Sequence, residues 1–134
     1  MRAASLVGAL FLMSACSSTP PVVVETQTVR DYVEVGELED VKHIRVYNHD
    51  SWSYLTDDFV IYKGRADNYL LEFRRRCPEL RDNSRISSDH RYDKNRLRVN
   101  EDTLRGCRIG KIYPLTDAQA TELRHLGKAP GEGN

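Results

Sequence analysis

Residues 59–73 read FVIYKGRADNYLLEF, and the fold class turns on them. Phe59-Val60-Ile61-Tyr62 is an unbroken run of β-branched and aromatic residues. Lys63 to Asn68, with Gly64, has loop composition, and Tyr69-Leu70-Leu71-Glu72-Phe73 is a second run of strand formers. Two such runs around a short polar loop predict adjacent antiparallel strands. The pattern extends in both directions. On the N-terminal side, Trp52 and Tyr54 alternate with Ser51 and Ser53, between the turn residues Asn48-His49-Asp50 and Thr56-Asp57-Asp58. Before them, Ile44 and Val46 alternate with Arg45 and Tyr47, and the spacing of Leu38, Val41 and Ile44 predicts a short helical turn entering the fold. On the C-terminal side, Cys77-Pro78 ends a strand, because proline cannot donate to a ladder. Residues 78–95 are polar and charged, with Ile86 the one mark of a short strand. Arg96-Leu97-Arg98-Val99 alternates, and Asn100-Glu101-Asp102 is a turn. Leu104 to Tyr113 reads as one strand, with Gly106 and Gly110 placed where a bulge or tight bend would curl the sheet. Thr116-Asp117-Ala118-Gln119 matches a helix capping box, with Leu115 and Ala120 as its staple, Leu123 and Leu126 as its buried edge and Gly127 as its stop. The expected fold is mainly β: a small antiparallel meander, as a curled sheet or open barrel, with one short C-terminal helix.

The first 34 residues read differently. Met1-Arg2 is a short positive start, Ala3 to Met13 is apolar or small, and Ser14-Ala15-Cys16 places two small residues before a cysteine. A charged start, an apolar stretch too short to span a bilayer and a small-residue boundary predict a secretory signal peptide over 1–15. Leu12-Met13-Ser14-Ala15-Cys16 resembles the lipobox of bacterial lipoproteins. That resemblance implies cleavage before Cys16, a diacylglyceryl group on its thiol and a fatty acid such as palmitate on the new N-terminus. Several acyl chains together would hold the protein on a membrane. Ser17, where the inner-membrane retention signal has Asp, implies the periplasmic face of the outer membrane. Residues 16–34, with Ser17-Ser18-Thr19-Pro20-Pro21 and Val22-Val23-Val24, read as a flexible tether. The folded domain is expected over 35–127, and a disordered tail over 128–134.

With Arg2 removed, the mature chain from Cys16 holds 19 basic and 20 acidic residues. Such a near-neutral balance makes no case for a nucleic-acid partner. With Cys16 lipidated, Cys77 and Cys107 remain as an even pair in an oxidising compartment. A disulfide is the favoured reading, closing a loop of about 31 residues and contributing roughly 3–4 kcal/mol in the chain-entropy model. A zinc site is the poorer alternative, because no Cys or His cluster accompanies them, and a redox pair lacks C-x-x-C.

From Val41 to Leu115 the chain resembles an uncharacterised bacterial family, a domain of unknown function found in small envelope lipoproteins. The residues that carry it are Ile44 and Arg45, Trp52, Asp57-Asp58, Tyr69-Leu70-Leu71, Cys77 with Leu80, Cys107-Arg108-Ile109, and Ile112-Tyr113. Members of that family often carry a further cysteine before the first strand. Val35 to Val41 has none here, which fits a simple pairing of Cys77 with Cys107. The resemblance implies no activity.

Charge is unevenly placed. Residues 16–62 hold three basic and nine acidic residues, and residues 63–111 hold fourteen basic and eight acidic. Arg74, Arg96, Arg98, Arg105 and Arg108 are the candidate binding residues, because guanidinium groups on adjacent strands would grip phosphates or carboxylates bidentately. The competing view pairs these arginines with the acidic N-terminal half at the surface, where each pair contributes little. Tyr47, Trp52, Tyr54, Tyr62 and Tyr69 are read first as core, and second as the lining of a ligand cavity. Asp89-His90-Arg91-Tyr92-Asp93 offers metal-binding groups, but adjacent residues point apart on a strand. Ser87-Ser88-Asp89-His90 has the residue types of a triad without its geometry, and Asp57-Asp58 reads as a turn rather than an acid–base pair. No catalytic residue, metal site or cofactor is expected. The expected function is non-catalytic: a membrane-tethered envelope module that meets a protein or an anionic envelope component, or else a small ligand in an aromatic-lined cavity.

Overall fold

A computed structural model describes residues 24–47, 50–81 and 95–126, together with the backbone of 88–89. The chain is mainly β, as expected. Its strands are β1 (His43–Arg45), β2 (Ser51–Tyr54), β3 (Phe59–Lys63), β4 (Asn68–Phe73), β5 (Ser88–Asp89), β6 (Arg96–Arg98), β7 (Thr103–Leu104) and β8 (Cys107–Leu115). Helix α1 spans Thr26–Val35 and helix α2 spans Asp117–His125. A six-stranded antiparallel sheet, ordered β2-β3-β4-β8-β7-β5, curls into a half-barrel, and β1 and β6 form a separate antiparallel pair.

The continuous apolar run of β3 follows from burial on both sides. Val60 and Tyr62 face a core shared with Ile44, Trp52, Leu71, Leu97, Ile109 and Ile112, inside the curl. Phe59 and Ile61 face the opposite side, where they pack with Leu70, Tyr113 and Leu115 under the two helices. Central strands covered on both faces lose the polar half of the usual alternation.

On β8, Ile109 and Ile112 both face the inner core although they are three residues apart. A bulge reconciles this with the period of two. The β4–β8 register steps from Glu72 opposite Lys111 to Phe73 opposite Ile109, and Gly110 sits in the step. A Cβ on Gly110 would lie 3.3 Å from the carbonyl oxygen of Glu72. The sequence placed Gly110 at a bulge, and it is one. Gly106 does more than bend a strand. Arg105 and Gly106 both take positive φ, at 49° and 77°. They form the two-residue turn of a β7–β8 hairpin in which Leu104 pairs with Cys107. The single strand expected from Leu104 to Tyr113 is therefore two strands, and the second begins at Cys107.

The N-terminal expectation needs correction. The tether proposed for 16–34 gives way at Thr26 to α1, whose Val29 is fully buried beside Phe59 and Leu123. Val29, Tyr32 and Val33 recur at helical spacing on one face. Threonine and valine are weak helix formers, so the segment does not announce itself. Packing on the sheet makes it helical. The domain accordingly begins before residue 35. The helical turn expected from Leu38, Val41 and Ile44 is absent; Val41 instead bridges Ile112 on the free edge of β8, and Ile44 lies in β1. Residues 1–23, including Cys16 and Val22-Val23, lie outside the described residues, as do Ile86, Gly127 and the tail at 128–134.

Helix α2 starts as predicted. Thr116 Oγ1 accepts from the Gln119 amide at 3.2 Å, and Gln119 Oε1 accepts from the Thr116 amide at 2.9 Å. Cys77 and Cys107 form a disulfide, with Cα atoms 6.2 Å apart. It ties the segment after β4 to the start of β8.

Replacing Val29 by alanine is expected to lower unfolding stability by about 1–3 kcal/mol, through lost burial and a cavity. Chemical denaturation checks this, and a residue in a true tether would show no change. Reducing the disulfide is expected to lower stability by roughly 3 kcal/mol, read as a drop in thermal midpoint with and without reductant.

Candidate functional site

Strands β1 and β6 carry the same pattern, charge–apolar–charge, and antiparallel register sets like against like. Ile44 faces Leu97, and both side chains are buried. On the outer face His43 lies opposite Arg98, and Arg45 opposite Arg96. Arg45 and Arg96 are cations directly across the ladder, and such a pair is unfavourable unless an anion or a carboxylate lies close by. Arg98 has its carboxylates: its guanidinium reaches buried Asp102 at 3.2 Å and Glu101 at 3.1 Å. Among the described residues Arg45 has none.

This outer face runs into a cleft of about 560 Å³. Its lining includes His43, Arg45 and Tyr47, the loop Gly64 to Asp67, and Asn68, Tyr69 and Pro114. The loop is held tight by the Gly64 amide, which donates to the Asp67 carbonyl at 2.8 Å. Tyr47 is half exposed at the rim. Its backbone is fixed by Asp50, whose carboxylate accepts from the Tyr47 amide at 2.7 Å and from the Tyr62 hydroxyl at 3.0 Å. Burial, with the Asp50 charge beside it, pushes the Tyr62 phenol far up. Arg65 at the loop tip has no ion pair or hydrogen bond among the described residues. Asn68 is buried; its amide donates to Asp117 at 2.7 Å, while its own carbonyl oxygen has no partner.

The edge of β8 that borders the cleft is blunted. Val41 donates to the Ile112 carbonyl at 2.8 Å, so the backbone of Ile112 faces this edge. By the period of two, residue 114 faces it as well, and it is proline, with no N–H to offer.

The other predicted arginines lie elsewhere. Arg105 stacks over Trp52, 5.7 Å from the ring centre, and donates to the Glu79 carbonyl. Arg74 and Arg108 are neighbours across the β4–β8 ladder, where the Arg74 amide donates to the Arg108 carbonyl at 3.0 Å, and both side chains are exposed. Of the five, Arg96 and Arg98 come together with His43 and Arg45; Arg74, Arg105 and Arg108 lie apart from them. Of the aromatic residues, Trp52 and Tyr62 are core, as first expected, while Tyr47 and Tyr69 line the cleft. His90 and Ser87 lie outside the described residues.

Asp57 is the other charged centre, and its role is structural. Its nearly buried carboxylate accepts from the Tyr54 hydroxyl at 2.5 Å, from Arg76 at 2.7 Å and twice from Arg81 at 2.9 Å. Its carbonyl accepts from the Cys77 amide at 2.6 Å. The turn residue expected at this position therefore clamps the disulfide segment to the β2–β3 connection. Hydrogen bonds from Arg81, then Tyr54, then Arg76 lower its pKa from 3.8 to about 2. Cys77, Glu79 and Cys107 also cluster, but their sulfurs are joined to each other.

The chain matches the family described as "Family of unknown function (DUF6491)" over residues 1–130. The chain belongs to that family. No curated protein and no solved structure matches it. For this DUF6491 member the match spans the N-terminal segment as well as the domain, so the resemblance seen from Val41 to Leu115 extends over nearly the whole sequence.

Because the Asp57 pKa is lower in the folded state, its contribution to stability is complete above the unfolded value and fades as pH falls from about 4 towards 2. Asp57→Asn should remove about 1–2 kcal/mol at neutral pH, allowing for solvent around Arg76 and Arg81. It should also flatten the acid limb of a stability–pH curve measured by denaturation.

Proposed function

We propose that this chain is a lipid-anchored envelope protein whose domain is a non-catalytic binder of an anionic envelope component. The observation that carries the reading is the register of β1 and β6, which sets His43 against Arg98 and Arg45 against Arg96 on one outer face that opens into the cleft. On this face Arg98 is offset by Glu101 and Asp102, whereas Arg45 lines the cleft with no carboxylate beside it among the described residues, and a partner of opposite charge would supply one. Asp57, whose pKa is lowered to about 2, has three side-chain donors and acts as a clamp rather than as an acid or base.

Anchoring rests on Leu12 to Cys16, and the layout of the domain is compatible with it. The start of α1 sits at the β2–β3 connection, where Thr26 Oγ1 donates to Asp58 at 2.8 Å. The cleft loop, Gly64 to Asp67, joins the far end of β3. Five residues of strand separate those ends by about 13–17 Å. The start of α1 and the cleft loop thus lie at opposite ends of β3. No helix among the described residues is long and apolar enough to cross one.

Two measurements test the two halves of the proposal. Cys16→Ala should abolish incorporation of labelled palmitate and move the protein from the detergent phase to the aqueous phase on partitioning. Unchanged partitioning would reject the anchor. The full chain should co-sediment with purified peptidoglycan sacculi in a salt-sensitive manner, and Arg45→Glu should weaken that at least tenfold while leaving the thermal midpoint in place. Equal sedimentation of the variant would reject the cationic face.

A further inference from the structure

Resting on that reading, we propose that the cleft is a saccharide subsite, and that its ligand is an acidic sugar whose ring packs on Tyr47 and Tyr69 while its carboxylate is gripped by Arg45 and Arg65. The volume, about 560 Å³, lies within the range of small-ligand sites and would take one or two pyranose rings. Its lining mixes ring faces with polar groups: two tyrosines, two arginines, His43, Asp67 and Asn68. That mixture suits a ligand with C–H faces and many hydroxyls better than an acyl chain, which would leave the charged lining desolvated and unpaired.

Two details narrow the class. Arg45, from β1, and Arg65, from the β3–β4 loop, both line the cleft, and neither has an ion pair or hydrogen bond among the described residues. Two uncompensated guanidinium groups on one cavity call for an anion, and carboxylate is the planar one that either can hold bidentately. Pro114 argues against the main competitor. A peptide strand added to the free edge of β8 needs main-chain donors there, and proline has none.

Asp67 has a part in selectivity. The Tyr69 hydroxyl reaches it only at 3.5 Å, so the carboxylate keeps acceptor capacity for ligand hydroxyls. The site thus offers guanidinium groups for a ligand's acid group and a carboxylate for its hydroxyls.

The test titrates the full chain, purified in detergent, with N-acetylmuramic acid and with N-acetylglucosamine, following chemical shifts or heat. The two sugars share a ring and an acetamido group and differ by a carboxylate-bearing ether. The acid is expected to bind at least tenfold more tightly. Arg45→Ala or Arg65→Ala should erase that preference, and Tyr47→Ala should weaken both sugars alike. All three positions are exposed or at the rim, so folding is expected to persist and is checked by the thermal midpoint. Equal affinity for the two sugars, or binding of neither, would overturn the saccharide assignment. So would inorganic phosphate competing as well as the acidic sugar, which would mark a bare-anion site. Salt-sensitive co-sedimentation with sacculi that survives such a result would leave the broader cationic-face reading standing; loss of both would end both.

Discussion

Strands β3, β4 and β8 bury apolar side chains on both faces, and the rest of the architecture follows from that. Val60, Leu71, Phe73, Ile109 and Ile112 need cover on one side, and Phe59, Ile61, Leu70, Tyr113 and Leu115 on the other. The curl of the sheet, with Ile44 and Leu97 from β1 and β6, supplies the first cover. Helices α1 and α2 supply the second. Each cover is too small to be stable alone: α1 is ten residues of mostly weak helix formers, and β1 and β6 have three residues each. They exist because the central strands present apolar surface to them. The bulge at Gly110 is the local device that lets one strand serve both layers. Without the phase change there, Ile109 and Ile112 could not share a side.

The placement of charge divides into two kinds. Asp57 with Arg76 and Arg81, Asp102 with Arg98, and Glu72 with Arg30 are compensated pairs, and each fastens a connection: the disulfide segment, the turn after β6, and α1 on β4. Their partly exposed arginines make them fasteners more than sources of large stability. Arg45 and Arg65 are of the second kind. They lie on a concavity, come from β1 and from the β3–β4 loop, and take no carboxylate among the described residues. Arg74, Arg108 and Arg124 also lack an ion pair among the described residues, but they do not line the cleft, so Arg45 and Arg65 are the arginines that place positive potential in it.

Legibility in the sequence followed range. β2, β3, β4 and α2 were readable because their signals are local: alternation at Trp52 and Tyr54, unbroken runs at Phe59 and Tyr69, a capping box at Thr116. The disulfide was readable because only two cysteines remain after Cys16. The hairpin turn at Arg105-Gly106 was misread as strand because a two-residue turn leaves the flanking apolar pattern almost continuous. Helix α1 was missed because its evidence is tertiary: Val29 is helical only where Phe59 and Leu123 receive it. At the site, Arg96 and Arg98 were singled out, yet Arg45 was not. The signal was present, since HIR at 43–45 and RLR at 96–98 are the same pattern. What the chain alone does not reveal is that those segments, some fifty residues apart, lie in register.

That register also explains why the cleft is there at all. Val41 pairs with Ile112, but by His43 the chain has left β8 and taken β6 as its partner, and residues 99 and 100 fill the ladder beside Ile109 instead. Departure of β1 from β8 opens a gap beyond Ile112. A gap in a sheet normally invites another strand, and Pro114 stands at the point where such a strand would begin to pair. The neighbouring loop closes through Gly64, where a side chain would crowd the Asp67 carbonyl at 3.2 Å. Divergence opens the space, proline keeps main chain from filling it, and the tight loop adds Arg65 to a lining that already holds Arg45. The cleft is a consequence of how the half-barrel ends, and its chemistry is set by the few side chains that border that end.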